Sequence, residues 1–174
     1  LKSSVLAEGR VLLRHIHGCV PGGLLCASVH MPVSRGSKGR EAQLKVLNQL
    51  GRFLAVFNRP FLVGGDWNSS PADLAESGIP NRLQATVIDG GAATCFTPTG
   101  RGAVHSTLDF FLLSDVLLPL IADVRTIDLR PKAVEQWHCG ERLSLRAFHT
   151  ISKVRVPRGP KPLPAIKPHG PDCE

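Results

Sequence analysis

Apolar residues along this chain change their period several times, and each change marks an element. Residues 10–17, RVLLRHIH, and 24–30, LLCASVH, read as two strands joined by the turn-forming GCVPGG. His15 and His17 would share one face of the first strand. A half-exposed edge strand accounts for them better than a metal pair, since no third ligand stands nearby. After Met31-Pro32 and the polar VSRGSKG, the period lengthens to three and four. Leu44, Leu47, Leu50, Leu54 and Phe57 fall on one helical face within REAQLKVLNQLGRFLAVFN. Glu41 and Lys45 add an i,i+4 pair, Gly51 is a mild cost, and Asn58 with Pro60 ends the helix.

Phe61 to Val63 then form a short apolar strand. Residues 71–77 predict one short helical turn. Residues 78–107 read as irregular, with small strands at 84–88 and 94–97. Further strands are expected at 106–115 (STLDFFLLSD), 124–129 and 151–156. From Pro157 onward, six prolines in eighteen residues predict a basic, PPII-like tail at 157–174. Strands interleaved with one strong helix indicate an α/β or α+β domain with a mixed sheet.

Composition narrows this picture. The 174 residues suit one domain, and 43% hydrophobic content is enough to bury a core. No apolar run has the length of a membrane span; Pro119 interrupts Leu117 to Ala122. The net charge of +7 fits a polyanionic partner, nucleic acid above all, or equally a solubility charge with a basic tail. Five cysteines form no C-x-x-C pair, which argues against a disulfide scaffold and for a reducing, intracellular compartment, nuclear or cytoplasmic. The first residues show no initiator Met and no signal pattern, so a fragment is expected. Composition gives no oligomeric state.

Candidate chemistry gathers at two places. In FLVGGDWNSSP, Asp66 and Asn68 sit two apart at the end of a buried strand. If the strand continues, both side chains emerge on one face, a carboxylate for a metal or water beside an amide. If it stops, they close it as an Asx turn. The second place is STLDFFLLS, where Asp109 begins an apolar strand, either paired or facing water at the strand end. His149 is one candidate partner.

GGDWNSSP resembles the GDFN-type motif of the endonuclease/exonuclease/phosphatase superfamily, with Trp for the usual Phe, and STLDFFLLS is similar to that family's S-x-I-D-Y-I-L segment. The order of elements over about residues 8 to 156 fits as well. The nearest flavour is the endonuclease domain of non-LTR retroelements. The resemblance implies a four-layer α/β sandwich of two mixed sheets with outer helices, its first strands missing from this chain. It implies Mg²⁺- or Mn²⁺-assisted hydrolysis of a phosphodiester, with DNA as the expected partner. Asp66 would hold the metal and orient the water, with Asn68 helping to hold water and phosphate. Asp109 would pair with His149 as the catalytic dyad. His30, at the end of SVHMP, would contact the scissile phosphate, and Ser106 would support the turn before Asp109.

The chain departs from the family at two positions. Phe148 precedes His149 where the family has Asp, and no residue matches the family's metal-binding Glu; Glu8 resembles an acid that precedes the following strand. These departures raise a second expectation, a degenerate nucleic-acid-binding module of the same fold. An incomplete sheet would also leave the isolated chain poorly stable.

Overall fold

The computed structural model describes residues 3–6, 9–18, 20–99, 102–127, 137–138 and 140–145. In chain order these form β1 (Ser3–Leu6), β2 (Val11–Ile16), β3 (Leu24–His30), α1 (Gly36–Phe57), β4 (Phe61–Asp66), α2 (Pro71–Glu76) and α3 (Ile79–Leu83). There follow β5 (Ala85–Ile88), β6 (Cys95–Thr99), β7 (Gly102–Ser106), β8 (Asp109–Ser114), a 3-10 helix (Asp115–Leu120), β9 (Ile121–Ile127), β10 (Trp137–His138) and β11 (Gly140–Leu145).

Six strands make one mixed sheet in the order β1-β2-β3-β4-β8-β5. β3 and β4 run parallel, and α1 is the crossover that such a pair requires. The other neighbours are antiparallel. Side-chain alternation gives the sheet two apolar faces. Val11, Leu13, Leu25, Val29, Val63, Phe110 and Leu112 are buried against α1, which contributes Val46, Leu47, Leu50 and Leu54. On the opposite face Leu24 and Leu113 pack under Leu117 of the 3-10 helix, with Leu62, Ile88 and Ile121 around them. Two small sheets, β10-β6-β7 and β11-β9, complete the described architecture. This is the expected α/β arrangement.

Several expectations need correction. The first strand is not at an edge, because β1 pairs with β2 in register, Ser3 opposite Arg14 and Leu6 opposite Val11. Helix α1 begins at Gly36 rather than near Arg40. Leu44 is 54% exposed, and Val46 joins the buried stripe. The small strands expected at 84–88 and 94–97 are β5 and β6, whereas α3 and β7 arise where residues 78–107 read as irregular.

The most consequential correction concerns β4, which does not stop at Val63 but runs through both glycines to Asp66. A Cβ on Gly64 would lie 2.7 Å from the Phe111 ring, and one on Gly65 would lie 2.1 Å from the Val29 carbonyl oxygen. Gly65 also has φ 144°, outside the usual range of residues with side chains. The glycines therefore let the neighbouring strands close on β4 instead of ending it. The strand expected at 151–156, the tail at 157–174 and His149 lie outside the described residues. No described helix is long and apolar enough to cross a membrane.

Candidate active site

Because β3 and β4 are parallel, their C-terminal ends coincide, and β8 begins where they finish. The register places His30 opposite Asp66, and Asp66 opposite Asp109. Residues in register share a face, here the face away from α1, so three functional groups from distant parts of the chain form one row. Row and strand ends are open to solvent: the side chain of His30 is 66% exposed and that of Asp66 22%. His30 Nε2 lies 3.9 Å from Asp66 Oδ2. On its other side, His30 Nδ1 lies 3.4 Å from the guanidinium of Arg10, and the Arg10 carbonyl accepts the His30 N–H at 2.9 Å. The row thus passes from fixed cation through imidazole to carboxylates.

Asn68 is not the next outward side chain of a continuing strand. Asp66 Oδ1 accepts the Asn68 N–H at 3.0 Å, which is an Asx turn, and Asn68 takes φ 47°. That turn swings the Asn68 amide back toward β3, where Nδ2 donates to the Met31 carbonyl at 2.8 Å. Met31 N–H in turn donates to the Asp66 carbonyl at 2.8 Å. Asp66 and Asn68 therefore close the strand and clamp the exit of β3 at once.

Between them, Trp67 points into the core. It is fully buried and stacks on Phe110 with ring centres 5.2 Å apart. Its Nε1 donates to the Phe110 carbonyl at 2.9 Å and its backbone N–H to the Leu108 carbonyl at 2.8 Å. Gln43 of α1 donates to the Trp67 carbonyl at 3.0 Å. Past the turn, Ser70 caps α2. Its hydroxyl accepts the Asp73 N–H, and the Asp73 carboxylate accepts the Ser70 N–H, a capping box with Pro71 at the first helical position. The Ser70 hydroxyl, donating to Asp73 Oδ2 at 2.7 Å, and the Ser70 N–H hold the Asp73 carboxyl below its ordinary range.

Asp109 is positioned by a residue that sequence reasoning missed. Thr94 is completely buried, and its hydroxyl oxygen accepts from both the Leu108 and Asp109 N–H groups at 2.9 Å. The Thr94 N–H donates to the Ser106 carbonyl at 3.0 Å. Ser106 thus contributes to the turn through its backbone, and Thr94 through its side chain. Nothing in ATCF marks Thr94 beforehand, because its partners lie fourteen and fifteen residues on. Arg10 was missed for a similar reason: its nearness to His30 depends on the β2–β3 register.

Glu141 of β11 is a third unforeseen group. Its Oε1 accepts from the Gly90 N–H at 2.9 Å and the Thr126 hydroxyl at 3.2 Å, while Oε2 is buried with no partner among the described residues. Burial pushes its carboxyl above the ordinary range, and the charges of Asp89 and Asp109 push it further. Among the described residues no three His, Cys, Asp or Glu side chains are grouped to hold a metal ion. His15 and His17 sit with rings 4.2 Å apart, and His15 packs on Phe57.

No family model matches the chain, and no curated protein matches it. Solved structures do. The endonuclease domain of TRAS1, a telomere-specific non-LTR retrotransposon, superposes with a TM-score of 0.61 at 17% identity, covering 84% of this chain and 69% of that one. The 3'-5' exonuclease NExo from Neisseria meningitidis gives 0.59 at 15% identity over 83% and 70%. The Neisseria 3' phosphatase NExo bound to product DNA hairpin gives 0.58 at 16% identity over 83% and 69%. With GDWN closing β4 and Asp109 opening β8 beside it, the chain shares the α/β sandwich fold of these structures.

Proposed function

We propose that the chain is a metal-dependent phosphodiester hydrolase acting on nucleic acid, with DNA as substrate, in the manner of a retroelement endonuclease domain. The observation that carries this reading is the register-aligned row of His30, Asp66 and Asp109 at the end of β4. The scissile phosphate lies at the cationic end of the row, where Arg10 and His30 offer donors to its oxygens. Asp66 uses Oδ1 to hold the Asx turn and leaves Oδ2 to orient the attacking water and accept its proton. Asn68, its Nδ2 given to the Met31 carbonyl, fixes the turn that presents Asp66 to that water. Asp109, fixed by Thr94 and the Ser106 turn, is the carboxylate that would pair with His149, as the resemblance implies.

A carboxylate oxygen suits a hard cation, and Asp66, through Oδ2, would hold Mg²⁺ or Mn²⁺. Such an ion supplies neutralisation of the charge that develops on the phosphate.

A second reading, a non-catalytic nucleic-acid-binding module, is favoured by Phe148 standing where the related motif has Asp. Supercoiled plasmid incubated with the chain and Mg²⁺ separates the two. Nicking that a chelator abolishes supports the hydrolase. Salt-sensitive binding without nicking supports the module. Neither binding nor nicking overturns both.

A further inference from the structure

The other end of β4 carries a second feature. Helix α1 ends at Asn58 and α3 at Gln84, and both residues take left-handed backbone, φ 46° and 50°. The two reversals leave an open groove of about 780 Å³ between the ends of α1 and α3 and the start of β4. Arg59 and Arg82 wall it, and Asn58, Asn81 and Gln84 add amide groups. Arg82 also lines an adjoining hollow of about 290 Å³ along α1, where Arg52 joins it. All three arginines are exposed, and among the described residues none has an ion-pair partner. The one acid in the lining, Asp115, already accepts the Thr86 hydroxyl at 2.7 Å.

A concave surface with three exposed guanidinium groups, several amides and one engaged carboxylate fits a polyanion with spaced oxygens. Guanidinium forks match phosphate oxygens in pairs, and amides serve sugar hydroxyls and base edges. A net charge of +7 points the same way. We propose that this groove binds the sugar–phosphate backbone of nucleic acid, separately from the carboxylate row. Phe61 lines the groove and Asp66 lies in the row, so strand rise puts them roughly 17 Å apart. A strand engaged at both places would be held on two sides of the domain. The proposal rests on the reading of the chain as a nucleic-acid hydrolase.

Fluorescence anisotropy of a labelled DNA oligonucleotide, with the full chain in chelator, tests it. The triple variants R52E/R59E/R82E and R52Q/R59Q/R82Q keep charge reversal and simple neutralisation distinct. Both should weaken binding, the first by about 10-fold or more at about 0.1 M salt, and the slope of log K against log salt should fall by about 2. Unchanged affinity and slope in both variants would overturn the proposal. So would displacement of the oligonucleotide by polyglutamate at lower concentration than by unlabelled DNA, which would indicate an acidic protein partner. Plasmid nicking reports separately on the other site. Arginine-dependent binding in a chain that never nicks keeps the groove and discards the catalytic reading. Nicking with arginine-independent binding does the reverse.

Discussion

The two carboxylate oxygens of Asp66 have different partners. Oδ1 holds the Asn68 N–H and so fixes the turn, while Oδ2 faces His30. One residue thus sets both the shape and the charge of the strand end. Asp109 depends instead on Thr94, whose single hydroxyl serves two backbone donors. Thr94→Val keeps the volume and removes that acceptor. Orphaning two partly buried N–H groups should cost about 2 kcal/mol, read as a lower urea midpoint. Nicking by the folded fraction should fall as well, because the start of β8 would no longer hold Asp109 opposite Asp66. A variant as stable and as active as the parent would remove Thr94 from the site.

Among the elements, α2 is the smallest part with a measurable share in the site. It starts directly after the Asx turn, and its capping box ties Ser70 to Asp73. Ser70→Ala should cost about 1 kcal/mol in thermal or urea unfolding. The Asp73 carboxyl is held below its ordinary value, so its contribution is present above that value and is lost as pH falls through the depressed folded value. The loss caused by Ser70→Ala should therefore shrink in acid.

Strand β3, the body of α1 and the helical turn at 71–76 were legible from period and turn residues alone. So were His30, Asp66 and Asp109 as site candidates, through motif spacing. The length of β4 was not, because glycines read as a stop until Phe111 and the Val29 carbonyl are seen packed against them. β1 was also invisible: SSVL is short and gains its strand only by pairing with β2. Thr94, Arg10 and Glu141 matter through long-range contacts, which a one-dimensional pattern does not carry.

Across the whole molecule, the antiparallel β9–β11 pair braces the loop that leads to Thr94. Glu141 bonds the Gly90 N–H, and a Cβ on Gly90 would lie 2.4 Å from the Thr126 nitrogen, so the loop backbone lies directly on β9. The brace includes a carboxylate whose ionised form is disfavoured by burial and by nearby Asp89 and Asp109. The stability contributed by its protonated form is complete below the ordinary carboxyl value and is lost as pH rises through the raised folded value. Glu141→Gln should therefore match the parent's melting temperature in acid and exceed it near neutral pH. A difference that does not change with pH would contradict this origin.

The central claim is that the strand-end row hydrolyses a nucleic-acid phosphodiester. Its most direct test is the initial rate of Mg²⁺-dependent plasmid nicking by the chain and by Asp66→Asn, which keeps an acceptor for the Asn68 N–H but removes the charge. The account predicts a loss of about 100-fold or more with the melting temperature little changed. An undiminished nicking rate in Asp66→Asn would contradict it.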